Sequence, residues 1–211
     1  MKVLILTNGA YGDYGFCNNQ EEVFDYIICA DRGLCHARIL GLMPDLIVGD
    51  FDSADQSELA DFRDKGVEIE VFNPHKDETD TEIAVSRAIE RGATEVVIYG
   101  GLGSRLDHSL ANVHLLYKLL KTNIKGRLMD PNNTVYLVEK HIVLQGSKGD
   151  LVSLIPFAGK VKGVTTKHLA YPLKDAEINI GTSLGVSNVI QEDTAEVWLD
   201  EGILIVIMAR D

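Results

Sequence analysis

The stretch "LIVGDFDS", residues 46–53, ends an apolar run on two carboxylates one residue apart, Asp50 and Asp52. Carboxylates so spaced can turn toward one cation where the chain bends, as Gly49 would permit, and without a cation they repel each other. Taken alone, the pair reads equally as a metal site or as a surface turn in which Asp52-Ser53 caps the next helix. A second cluster, "NPHKDETD", sets Lys76, Asp77, Thr79 and Asp80 at the opening of a helix. An ordinary start accounts for it, with Thr79 and Glu82 as a capping box. So does a functional one, with Lys76 reaching a phosphate and Asp80 joining Asp50 and Asp52 around magnesium, which takes oxygen ligands and keeps waters and substrate phosphates among them.

A third cluster, "GGLGSRLDH", covers residues 100–108. Its glycines allow close backbone approach to a ligand, Arg105 offers a planar fork for phosphate oxygens, and Asp107 stands where a helix begins. The GxxxxGK and GxGxxG spacings are absent, so this is neither of the common phosphate-loop fingerprints. His108 has no second histidine at close spacing and reads as a packed or solvated side chain. The opening "TNGAYGDYG", with Gly9, Gly12 and Gly15, is either a loop over a nucleotide or a plain loop, and "CADRG" contributes Asp31 after another apolar run.

These clusters need elements to hold them. "KVLILT", the "YIICAD" run, "PDLIVGD", "VEIEVF" and "EVVIYGG" read as strands, and "GLCHARILG", Ser57 to Lys65, Glu78 to Arg91 and "DHSLANVHLLYKLLKT" read as helices. In the last of these, Asp107 is a good capping residue, and Leu110, Val113, Leu116 and Leu120 share one face. Strands alternating with helices imply right-handed crossovers and a parallel sheet covered on both faces, with ligands at the carboxyl ends of its strands. The acidic clusters each follow or lie near such a strand. Two or three carboxylates with Lys76 and Arg105 at one sheet edge suit a magnesium-nucleotide.

Past "DPNNT", residues 130–134, the helical period gives way to short alternating runs such as "DLVSLIPF", "AEVWLD" and "ILIVIMA". The expected organisation is an α/β parallel-sheet nucleotide-binding domain over residues 1–130, followed by a smaller all-β domain, a sandwich or barrel, over 131–211. Trp198 reads as core. The chain of 211 residues is 45% hydrophobic, ample for either domain to bury a core. Its net charge of −12 argues against sequence-independent nucleic-acid binding, which needs basic patches. No apolar run approaches the roughly 20 residues that span a bilayer, and the apolar part of the N-terminus is too short for a secretory signal. No membrane partner and a cytoplasmic location are expected. Cys17, Cys29 and Cys35 form no CxxC pair and read as reduced, mostly buried thiols.

In order and spacing, "ADRG", "PDLIVGDFDS", "HKDETD", "GGLGSRLDH", "VTTKHLAYPL" and "GTSLGVSN" together resemble the thiamine pyrophosphokinase family over nearly the whole chain. The resemblance implies an α/β nucleotide-binding domain joined to a β-sandwich, a homodimer, and transfer of the pyrophosphoryl group of ATP to the hydroxyl of thiamine. It implies that Asp50, Asp52 and Asp80 handle magnesium and phosphates, with Lys76 and Arg105 on phosphate charge. It also implies that Asp31, Gly33, Asp77, Thr79, Arg105 and Asp107 lie toward the nucleotide. Thiamine would meet Tyr171, Ser187 and Asn188 at the dimer interface, with Tyr171 able to stack on a cationic ring. Arg32 departs from the family pattern, in which a second glycine usually precedes Gly33, and "GGLGSRLDH" is longer than the common theme. The rival readings are a pyrophosphokinase for another heterocyclic alcohol such as a hydroxymethylpterin, a sensor that binds nucleotide or thiamine without turnover, and a magnesium-dependent phosphohydrolase.

Overall fold

The computed structural model describes residues 1–18, 22–51 and 56–210, and the chain divides into two compact units, Met1–Pro131 and Asn132–Asp211. The first unit runs β1 (Lys2–Leu6), α1 (Gly15–Asn18), β2 (Tyr26–Ala30), α2 (Gly33–Ile39), β3 (Leu46–Gly49), α3 (Gln56–Asp64), β4 (Glu68–Val71), α4 (Asp80–Glu90), β5 (Glu95–Tyr99), α5 (Leu106–Lys121) and β6 (Lys125–Met129). Its strands are all parallel and lie in the order β6-β5-β1-β2-β3-β4. The chain therefore steps outward from β1 in one direction through β4, then returns to build β5 and β6 on the other side. That reversal between β1 and β5 is a topological switch point, where the carboxyl ends of neighbouring strands lead into loops on opposite faces and leave a crevice.

The inner strands are buried along consecutive residues, as a sheet covered on both faces requires: Val3 to Leu6, Ile28 to Ala30, Leu46 to Val48 and Val96 to Tyr99. Helix α4 packs over β1, β2 and β3 through Ile83, Ala84, Val85 and Ala88. Helix α5 turns Val113, Leu116 and Leu119 inward against β6 and α4. Three details differ from the sequence-based expectation. Leu110 is 54% exposed, one helical position off the buried stripe. Asp107 lies in the first turn of α5 while Arg105 holds the cap position, so the acidic side chain acts on the helix's positive end rather than as its cap. Strand β6, hidden in the sequence by its charged "KGRLM", pairs with β5 throughout. No described helix is long and apolar enough to cross a membrane.

The second unit contains β7 (Asn133–Val138), β8 (His141–Gln145), β9 (Leu151–Pro156), β10 (Val161–Lys167), β11 (Ala176–Ile178), β12 (Asn188–Val189), β13 (Thr194–Trp198) and β14 (Leu204–Ala209). Strands in the order β12-β9-β14-β7 and β11-β10-β13-β8 form two antiparallel layers. Val152, Leu154, Leu204 and Val206 from one layer meet Leu144, Val161, Val164 and Val197 from the other in a single core. This is a sandwich rather than a barrel, since the strands fall into two separate sheets packed face to face. Trp198 is not core: it is half-buried on the outer side of its strand, stacked on the His141 ring with centroids 4.9 Å apart. Of the thiols, Cys29 is fully buried, while Cys17 and Cys35 are half-buried.

Candidate functional site

The crevice at the switch point is a cleft of about 440 Å³ within the first unit. Its walls are Thr7 to Ala10 after β1, Ala30 and Asp31 after β2, Thr79 to Thr81 at the start of α4, and Gly100 to Arg105 after β5. His108, Ser109 and Asn112 on the first turns of α5 complete the lining. The loop after β5 is tied down by its own helix. Asn112 donates to the Gly101 carbonyl at 2.7 Å, and the Gly103 backbone N–H donates to the Ser109 hydroxyl at 3.1 Å.

Asp31 is the most perturbed carboxylate in the cleft. It is half-buried with φ 48°, a left-handed conformation that aspartate tolerates better than most residues, and its Oδ1 is buried with no hydrogen-bond partner among the described residues. Burial raises its pKa first of all, with the charges of Asp80 and Asp50 adding to the rise and the Arg32 backbone N–H partly opposing it. Asp80 opens α4 and takes Lys76 Nζ at 2.8 Å, the lysine lying 5.8 Å above the Phe72 ring. Thr79 caps the helix by accepting from the Glu82 backbone N–H at 3.2 Å. Only that half of the capping box forms, because the Glu82 carboxylate pairs instead with Lys118 at 3.4 Å. The bend after β3 falls at Phe51, φ 56°, rather than at Gly49.

Of the sequence-derived candidates, Asp31, Thr79, Asp80 and Arg105 therefore line one cleft. Asp50 and Lys76 stand beside it, coupled to Asp31 and Asp80 respectively. Asp52 falls outside the described residues. Arg105 is exposed and held by Asp107, Nη2 to Oδ2 at 2.6 Å, and that bond lowers the Asp107 pKa to about 2. Asp77 is exposed and does not reach the cleft wall, and neither do Gly33 and Asp107. At Gly33 a Cβ would sit 2.0 Å from the Leu6 carbonyl oxygen, so this glycine lets α2 close on β1. Sequence reading did not single out Asn8, Ser104, Ser109 or Asn112 as cleft residues, since small polar residues near loops carry no distinctive spacing. Position after β1 and β5 was the available signal.

In the second unit, Tyr171 is 69% exposed. Asn188, by contrast, is buried to 2% and spends its amide on the backbone. Its Oδ1 accepts from Tyr171 N at 3.0 Å and Val189 N at 2.9 Å, and its Nδ2 donates to the Tyr171 carbonyl at 2.7 Å. Ser187, with φ 56°, donates its backbone N–H to the Ser153 hydroxyl at 3.1 Å. Asn188 thus holds the Tyr171 backbone while being almost wholly buried itself.

The donor set bears on a divalent cation. Among the described residues no three of His, Cys, Asp and Glu form a metal cluster on their own. Magnesium does not need one, since it is held by one or two carboxylates with waters and phosphates. The buried, partnerless oxygen of Asp31 beside Asp50 and Asp80 is a concentration of negative charge that a cation would relieve.

Residues 18–128 match the family model described as "Thiamin pyrophosphokinase, catalytic domain", and residues 140–204 match "Thiamin pyrophosphokinase, vitamin B1 binding domain". The chain is 32% identical over 186 residues to the thiamine pyrophosphokinase of Bacillus subtilis (strain 168), covering 87% of each protein. Among solved structures, that of thiamine pyrophosphokinase from Bacillus subtilis superposes with a TM-score of 0.88 at 28% identity, covering 100% of both chains. The thiamin pyrophosphokinase of Geobacillus thermodenitrificans follows at 0.85 and 28% identity, covering 100% of this chain and 98% of the other. With a catalytic-domain match over more than half its length, a second match covering most of the β-sandwich, and relatives alike along nearly the entire chain, this protein belongs to the thiamin pyrophosphokinase family.

Proposed function

We infer that the protein is a thiamine diphosphokinase, moving the pyrophosphoryl group of ATP to the hydroxyl of thiamine. The observation that carries this reading is the pairing of a catalytic-domain match with a cleft whose walls combine glycine-rich backbone, Asp31, Asp80 and Arg105. The thiamine hydroxyl oxygen forms a new bond to the β-phosphorus, the bond between that phosphorus and its bridge to the α-phosphate breaks, and AMP leaves with the bridging oxygen. The hydroxyl proton passes to a carboxylate or to water.

Most of the acceleration in such a transfer comes from positioning and charge neutralisation. Asp50, Asp52 and Asp80 would hold magnesium, which when bound offsets phosphate charge. Lys76, tethered by Asp80 beside the cleft, and Arg105, in its lining, would supply positive charge to phosphate oxygens. Asp31, Thr79 and Ser104 border the nucleotide. Tyr171, presented by Asn188, supplies an aromatic face for a cationic ring, with Ser187 beside it. A homodimer completes the reading, bringing thiamine between two copies. A cytoplasmic setting accords with three cysteines outside any disulfide.

Incubation with magnesium-ATP and thiamine, followed by separation of thiamine mono- and diphosphate and of AMP and ADP, tests the reaction. Thiamine diphosphate with equimolar AMP is expected. Monophosphate as the sole product, or ADP in place of AMP, would refute pyrophosphoryl transfer. A hydroxymethylpterin turned over faster than thiamine in the same assay would move the assignment to the other alcohol.

A further inference from the structure

The loop after β1 contains a side chain that is absent from the cleft lining yet ties together two of the segments that form its walls. Tyr11 is 2% exposed. Its hydroxyl lies 3.0 Å from the Tyr99 carbonyl and 3.2 Å from that of Thr7, so one proton is shared between the carboxyl ends of β5 and β1. Its ring stacks on His36 of α2 with centroids 3.7 Å apart and planes 20° from parallel. On the outer side Tyr14 continues the stack at 5.4 Å, and the Tyr14 hydroxyl closes on His36 Nδ1 at 2.7 Å. Burial holds the Tyr11 hydroxyl protonated far above neutral pH, so it remains a donor.

Around this ring the backbones are packed too closely to tolerate side chains. A Cβ at Gly9 would lie 1.8 Å from the Gly100 carbonyl oxygen, and one at Gly100, whose φ is 70°, would lie 2.5 Å from the Tyr11 ring. Thr7 adds two further ties to Tyr99, its N–H and its hydroxyl both donating to that carbonyl, at 3.0 and 3.1 Å. The segments so joined are the same ones that line the cleft on two sides, Thr7 to Ala10 and Gly100 to Arg105. A buried hydroxyl placed across a junction of two ligand-facing loops sets the distance between them, and a cleft built of backbone is sensitive to small changes in that distance.

We propose that Tyr11 is a positioning residue for the nucleotide, whose hydroxyl holds the loops after β1 and β5 at the separation that ATP requires. It acts through the backbone of Thr7 and Gly100 and makes no contact with the substrate. This rests on the reading of the cleft as the nucleotide site.

Tyr11→Phe keeps the ring and its stack and removes only the shared proton. Isothermal titration with the α,β-methylene analogue of ATP, which cannot transfer the pyrophosphoryl group, reads the effect without turnover. The affinity is expected to fall about tenfold, the loss of one buried hydrogen bond expressed through the loops. KM for ATP should rise in parallel, while KM for thiamine and kcat stay within about threefold. Tyr14→Phe, which cuts only the outer bond to His36, should bind the analogue as wild type does. Should Tyr11→Phe fail to fold, Thr7→Val removes a neighbouring tie at the same junction and carries the same expectation. Unchanged analogue affinity in a folded Tyr11→Phe protein, even one with a lowered melting temperature, would overturn the positioning role. Wild-type protein that binds no analogue would overturn the nucleotide reading of the cleft and this inference together.

Discussion

Asp31 offers an unusual opportunity, because removing its charge should strengthen the isolated protein while weakening its function. One of its oxygens is buried without a partner among the described residues, and its nearest charged neighbours include Asp80 and Asp50. The cation beside Asp80, Lys76, is already engaged at 2.8 Å. Asp31→Asn preserves the left-handed backbone, which asparagine also accepts, and keeps an oxygen to receive the Arg32 N–H. The amide remains polar at both positions, so the gain comes from removing a desolvated charge repelled by Asp80 and Asp50, and solvent screening at this half-exposed position holds it to about 1 kcal/mol. For a chain of this size that corresponds to about 2–4 °C in Tm.

The pH dependence follows from the raised pKa. The folded chain binds the Asp31 proton more tightly than the unfolded chain does, so this group favours folding below the ordinary carboxylate range. The contribution is lost as pH rises through the folded value. Asparagine has no such loss, so the variant should exceed wild type at neutral pH and converge with it in acid. Thermal unfolding followed by circular dichroism, in chelator-treated buffer from pH 4 to 8, measures this directly. Added magnesium and nucleotide should stabilise wild type more than the variant and narrow the gap. A variant that melts below wild type at pH 7.5 without metal, or a gap independent of pH, would refute the account of Asp31 as a strained carboxylate awaiting a cation.

Arg105 is exposed and must exchange its bond to Asp107 for a phosphate, so Arg105→Ala should raise KM for ATP about tenfold with Tm within about 1 °C of wild type. Initial-rate kinetics with thiamine held saturating, beside a melting curve, checks both halves. Tyr171→Ala should raise KM for thiamine about tenfold and leave KM for ATP unchanged, consistent with the loss of one cation–aromatic contact from an exposed ring. A thiamine titration at saturating ATP decides it, and equal effects on both substrates would remove Tyr171 from the thiamine site.

Much of the first unit was legible because burial on both faces forces inner strands to be apolar over consecutive residues. "KVLIL", "LIVG" and "EVVIY" can hardly be anything else between amphipathic helices. The polar clusters were legible as a group for a related reason: in a parallel sheet, whatever follows a strand arrives at the same edge as whatever follows its neighbours. Individual roles were not. Asp107 occupies a sequence position fit for a cap, yet the helix begins two residues earlier than that role needs, and the carboxylate turns to Arg105. Asn188 has the composition of a ligand-binding residue, yet its amide is consumed by the backbone around Tyr171. Trp198 was expected inside on hydrophobicity, but strand alternation puts its neighbour Val197 there.

Residue types and their order along the chain determined the two-domain organisation, the acidic sheet edge and the family, since these depend on periodicity and on motif succession that survive without coordinates. Only the tertiary structure decided which carboxylate is left without a partner and which aromatic joins the loops. Asp31 and Tyr11 gain their properties from groups distant in the chain, Asp80 in one case and Tyr99 in the other. Desolvation and hydrogen-bond satisfaction are set by neighbours in space, and no local spacing encodes them.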